Sequence, residues 1–155
     1  MRQILIMLFF LCSTNIFAQN NTVSAMTPEL MINKVLELGE NVTQEGNVVN
    51  FTFKGIPLLL VFDVNADRMR LMSPITEVKN VDDAMLLTVL EANFHSTLDA
   101  RYAVSNDIVW SAFIHPLSDL SPVLLESAIT QVMFAHATFG GDFTSGALTF
   151  PSGGE

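Results

Sequence analysis

Cysteine is all but missing from this 155-residue chain: Cys12 is the only one. Basic side chains are also scarce, with seven Lys and Arg against sixteen Asp and Glu and a net charge of −9. There is a single Trp, a single Tyr and three His. Beyond the N-terminus no apolar run reaches the roughly 20 residues that a membrane-spanning helix needs. Each shortage excludes something. With one cysteine there is no intrachain disulfide, so the fold must hold by packing alone. A strongly acidic chain repels nucleic acid and anionic lipid, which require the opposite sign. A basic protein surface is compatible with that charge, and so is plain solubility. No Gly-x-Ser-x-Gly elbow is present, so the α/β-hydrolase arrangement is excluded.

What is present begins with a leader. Arg2 supplies a short positive region, Ile4 to Leu11 is an uninterrupted apolar run, and Ile16-Phe17-Ala18 precedes Gln19 as a cleavage signal. Residues 1–18 therefore read as a cleavable secretory signal peptide. A lipid-attachment box would need a small residue before Cys12, and Leu11 stands there. Cleavage would remove the only cysteine and Arg2, taking the net charge to −10. The expected product is exported, most simply periplasmic with secretion as the alternative, and has no membrane insertion after cleavage. Residues 19–26 read as a flexible lead-in, and 141–155, rich in Gly, Ser and Thr, as a loose tail.

Between them the pattern gives one α+β domain. Thr27-Pro28-Glu29 is a helix start, with a capping hydroxyl, a proline at the first position and an acid in the first turn. Met31, Val35 and Leu38 line its apolar side, and Gly39 can end it. Val49, Phe51 and Phe53 alternate with polar residues, as in a half-buried strand. Ile56 to Phe62 is apolar at nearly every position and reads as a central strand covered on both faces. Met69, Leu71, Ser73 and Ile75 continue the meander. Asn80 is placed to cap a second helix, which is almost wholly apolar from Ala84 to Phe94. Such a helix must bury more than one face, either inside the domain or against a second subunit. Met85, Leu86, Val89 and Leu90 are the candidates for such a dimer contact. Two strands follow, Asp99 to Val104 and Ile108 to Ile114. Ser121-Pro122 then opens a third helix, with Leu125, Ile129, Val132 and His136 on its core side. The turns are too short for parallel crossovers, so the sheet is antiparallel and the order is α-β-β-β-α-β-β-α.

Chemistry is hard to find. His95, His115 and His136 fall on different elements without metal-ligand spacing. Asp82 and Asp83 are explained as acids at a helix N-terminus. Met69 and Met72 point to opposite faces of a strand and cannot share an ion. No catalytic, metal or cofactor residue is assigned. Asp99 and Arg101, two apart on a strand, can pair with each other or grip a bound peptide. Tyr102, Trp110 and Phe113 are candidate aromatic anchors for a partner, with core packing as the competing role.

Several strings together carry a resemblance. Glu91-Ala92-Asn93-Phe94 is followed by Leu98-Asp99-Ala100-Arg101-Tyr102-Ala103. Gly55-Ile56-Pro57 opens the central strand, and Arg70-Leu71-Met72-Ser73-Pro74-Ile75 forms the third. In this order the chain, from Thr27 to Phe139, resembles the YbjN family of the type III secretion chaperone-like fold group. The resemblance implies that fold and a non-enzymatic, protein-binding role, dimeric and chaperone-like or regulatory, with no cofactor. Secretion chaperones act in the cytoplasm, so the leader departs from their pattern. The alternative reading is an envelope small-molecule carrier or enzyme with an apolar pocket between sheet and helices. The export reading predicts that protein recovered from expressing cells starts at Gln19. Intact-mass spectrometry decides this, and a chain starting at Met1 would remove export.

Overall fold

In a computed structural model the structure describes residues 26–146; the proposed leader, the lead-in up to residue 25 and the chain from 147 lie outside the described residues. Three helices and six strands follow in order: α1 (Pro28–Leu38), β1 (Glu40–Glu45), β2 (Val48–Phe53), β3 (Ile56–Asp63), β4 (Arg68–Glu77), α2 (Asp83–His95), β5 (Arg101–Ser105), β6 (Ile108–His115) and α3 (Pro122–Ala137). The strands form one antiparallel sheet in the order β1-β2-β3-β4-β6-β5.

The helix starts follow local chemistry. Thr27 Oγ1 accepts the Leu30 N–H at 3.2 Å, and Ser121 Oγ accepts the Leu124 N–H at 3.1 Å. In both helices a proline takes the first position, where no N–H is needed. The cap of α2 is Asp82, whose Oδ1 accepts the Met85 N–H at 2.8 Å. Asn80, the expected cap, instead ends a short 3-10 turn over Val78–Asn80. Two hairpins close through paired left-handed residues. Lys54 and Gly55 have φ of 50° and 80°, and Asn106 and Asp107 have 51° and 59°. That geometry matches the right-handed twist of the flanking strands.

β1 is absent from the sequence reading. Glu40 to Glu45 carries only one apolar side chain, Val42, and its pairing with β2 is broken by an irregularity between Glu40 and Thr43. It has no alternation to detect because it is an exposed edge.

The core lies on one face of the sheet. Val49 and Phe51, Leu58, Leu60 and Phe62, Met69 and Leu71, and Phe113 point inward from four strands. α1 meets them with Met31 and Val35, and α3 with Leu125, Ala128, Ile129 and Val132. A second, smaller cluster joins α2 to the end of α3: Val89 and Ala92 pack with Tyr102, Ala135 and Phe143. The opposite face of the sheet carries no helix among the described residues. β3 is therefore not covered on both faces, because Leu58, Leu60 and Phe62 are buried while Leu59 and Val61 are only half-buried. Its continuous apolarity reflects one packed face and one open apolar face.

Residues 142–146, expected to belong to a loose tail, are held in place. Phe143 and Ser145 are buried, Ser145 Oγ accepts the Leu98 N–H, and Thr144 Oγ1 donates to the Ser96 carbonyl. Residues 142–146 are thus fastened to the link between α2 and β5. Leu60 has no exposed surface and sits in the core on β3, the central-sheet strand that α3 packs against. Leu60→Ala should cost about 3 kcal/mol through the cavity it leaves, read as a lowered urea midpoint with an unchanged slope.

Candidate functional site

Four of the five candidate anchors lie on the β5–β6 hairpin, and Asp99 lies in the link before it. Tyr102 and Phe113 point into the core. The Tyr102 hydroxyl donates to the Ala135 carbonyl at 2.8 Å, and its ring meets Phe139 and Phe143 edge-on at 5.7 and 6.1 Å. Burial raises the pKa of its phenol. Phe113 stacks on His115 at 5.9 Å. Neither ring can anchor a partner without unfolding the hairpin. Trp110 is half-buried on the other face, where its indole N–H donates to the Ser105 carbonyl at 3.1 Å. Asp99 and Arg101 do not pair. The Asp99 N–H goes to Gln131 Oε1 at 2.8 Å, while the Arg101 guanidinium folds back onto Thr97 Oγ1, the Leu98 carbonyl and the Ala100 carbonyl. Its donors are used to fasten the bend before β5.

Helix α2 is sorted by the structure into two sides. Val89 is buried and Met85 and Leu86 are half-buried, so of the four dimer candidates only Leu90 faces fully outward. Leu87 at 59 %, Leu90 at 64 % and Phe94 at 77 % exposure form the outer stripe. Their spacing of three and four places them on one side of a helix. Leu87 and Phe94 escape sequence reasoning because α2 is apolar all round, which leaves no periodicity to mark the outer side.

The two edges of the sheet differ. At β5 the Asn93 carboxamide, reaching from α2, donates to the Tyr102 carbonyl at 3.0 Å and accepts the Tyr102 N–H at 2.7 Å. One side chain thereby takes the outward N–H and carbonyl of Tyr102, one of the positions at which an added strand would pair. β1, at the other end, carries exposed side chains at every position but Val42.

Among the described residues one serine and one histidine meet. Ser73 Oγ lies 2.7 Å from His136 Nδ1 but donates its own proton to the Pro57 carbonyl at 2.7 Å. The imidazole must then donate to the hydroxyl from Nδ1, an assignment made from the hydrogen-bond pattern. A serine without exposure and with its proton committed to a carbonyl is not a nucleophile. His136 is hydrogen-bonded as expected but only half-buried, at the margin of the core rather than within it. Among the described residues no three His, Cys, Asp or Glu are grouped to hold a metal ion. Between sheet and helices the described residues place the fully buried Met31, Leu60, Leu71, Leu125 and Ile129 where the carrier reading needs a pocket. Surface depressions lie on the open sheet face, on the outer side of α3 and beside the end of β4.

No protein-family model matches the sequence, and no curated protein matches it. Solved structures do share the fold. A chain of the HopA1–SchA chaperone–effector complex is similar with a TM-score of 0.55 and 15 % identity, over 72 % of this chain and 90 % of that one. A chain from the crystal structure of the Yersinia pestis type III secretion chaperone SycH in complex with a stable fragment of YscM2 gives 0.56 and 18 %, over 72 % and 98 %. The architecture of this chain is that of the type III secretion chaperones.

Burial lowers the pKa of His136 below its ordinary value of 6.5. Protons therefore bind the unfolded imidazole first. Its contribution to stability is complete above pH 6.5 and is lost as pH falls from there through the folded value. His136→Asn keeps a donor for Ser73 but does not titrate, so its urea midpoint should fall less than the wild type's between pH 7 and pH 5. Equal falls in the two proteins would refute the half-buried, neutral state.

Proposed function

We propose that the chain is an exported, non-enzymatic module that binds segments of other proteins and works as a homodimer joined through α2. The observation that carries this reading is the uncovered stripe Leu87–Leu90–Phe94, three large apolar side chains more than half exposed on one side of a helix whose other side is packed. Monomeric soluble proteins do not commonly leave such a patch open. A second copy of α2 laid against it would bury the same surface on both partners, as a two-fold interface requires.

The fold supports the protein-binding half, since the similar structures are chaperones solved with protein partners. The strings around Asp99–Ala103 and Arg70–Ile75 favour the YbjN branch of that fold group. Because Asn93 occupies the β5 edge at Tyr102, an extended segment would add by backbone pairing at β1. The leader supports action outside the cytoplasm.

Sedimentation at micromolar concentration should show a dimer for the wild type and a folded monomer for Leu90→Asp, whose melting temperature, unlike the wild type's, should not vary with protein concentration. A wild type that stays monomeric throughout the series would remove the dimer. A photo-crosslinking residue in place of the exposed Thr43 on β1 should capture other polypeptides in expressing cells. The same residue in place of exposed Ser105 on the opposite edge strand should capture far fewer. Equal capture at both positions would remove the β1 edge as the binding site.

A further inference from the structure

The face of the sheet turned away from α1 and α3 has its own composition. Pairing across the strands puts Val48, Val61, Arg70 and Ile114 in one row and Asn50, Leu59, Met72 and Ala112 in the next. All of these side chains point away from the core, because Met69, Leu71 and Ser73 alternate with them toward the helices. Arg70 thus has Val61 and Ile114 on either side and Met72 two residues along, with Arg68 two residues the other way and Asp63 diagonally across. Ile114 is 57 % exposed. The depression at this place measures about 510 Å³ and is bordered by Asn47, Asp63 and Arg68.

Arg70 is unusual within this acidic chain. Among the described residues Lys34 is paired with Glu37 and Glu126, and Lys79 with Glu77. Arg68 donates to the Asp67 carbonyl at 2.7 Å and stands across from Asp63. Arg101 holds its own bend through Nη1, and Lys54, outside the ion pairs and hydrogen bonds as Arg70 is, lies 5.4 Å from the centroid of the Phe53 ring. None of the ion pairs or side-chain hydrogen bonds of the described residues uses Arg70. A guanidinium presents five donors in a planar fork that matches a carboxylate with two parallel bonds. Apolar surroundings strengthen such a pair by excluding water.

The interior strands of a sheet face offer no free backbone groups, so an occupant must satisfy its own. A helix does this and a lone strand does not. We propose that the open sheet face docks an amphipathic helix of a partner protein that carries a carboxylate within its apolar stripe, received by Arg70. The inference rests on the protein-segment-binding reading and adds the chemistry of the segment and the surface that takes it. The apolar residues supply contact area, and Arg70 selects the charge.

The test uses a fluorescent designed helix with leucines at three- and four-residue spacing and one Glu inside the stripe, compared with the same peptide carrying Gln there. Anisotropy with the wild-type protein should show the Glu peptide bound about tenfold more tightly. Arg70→Gln, at an exposed position and checked for an unchanged melting temperature, should abolish that preference while leaving the Gln peptide as before. Equal binding of both peptides to the wild type would overturn the proposal, as would a preference that survives in Arg70→Gln. A merely gatekeeping arginine gives the first of these. Failure of both peptides to bind, with Thr43 crosslinks still forming, would overturn this surface and leave the module reading standing. Failure of both peptides and crosslinks would remove the two together. A change of sedimentation state in Arg70→Gln would identify the face as a contact between copies and likewise overturn the proposal.

Discussion

The packing of α3 against the inner face of the sheet is the contact on which the other elements depend. Leu125, Ala128, Ile129 and Val132 from that one helix share a cluster with residues of β2, β3, β4 and β6. α3 also supplies the polar fixtures of its surroundings. The Ala135 carbonyl receives Tyr102, the Val132 carbonyl receives Ser111, and Gln131 Oε1 receives the backbone N–H groups of Asp99 and Ala100. Buried polar groups on two strands are therefore satisfied by the same helix that supplies the apolar contact. In a chain without a disulfide to restrain it, this concentration of contacts on one element sets the stability of the whole.

A consequence is asymmetry. Among the described residues α1 and α3 both lie on one face of the six-stranded sheet. α2 is left at the β5 end, held by the small cluster around Val89, Ala92 and Tyr102 and by Asn93. The surfaces left over are the outer stripe of α2, the exposed edge at β1 and the arginine-bearing sheet face. They arise from how few of the described elements cover so wide a sheet.

Much of the fold was legible because local rules and tertiary structure agree. Thr27-Pro28 and Ser121-Pro122 start helices in the sequence and in the structure, and Gly39 ends α1 as expected. β1 was not legible, since an exposed edge strand needs no apolar alternation. Asn80 misled because a short 3-10 turn intervenes before the helix. The surfaces were harder than the elements. A uniformly apolar stretch states that burial is demanded but not on which side, so α2 hid Leu87 and Phe94, and Ile56 to Phe62 suggested two covered faces. Tyr102 and Phe113 looked like anchors because aromatic residues serve cores and interfaces by the same physics; only position separates them.

The bond pair between Asn93 and Tyr102 also determines what the sheet can become. A β-sheet with two free ends is a monomer for open-ended polymerisation, each edge templating the next. Here a carboxamide imitates a neighbouring strand at Tyr102, so a strand arriving at β5 finds that register already occupied, and edge pairing is biased toward the β1 end of the sheet.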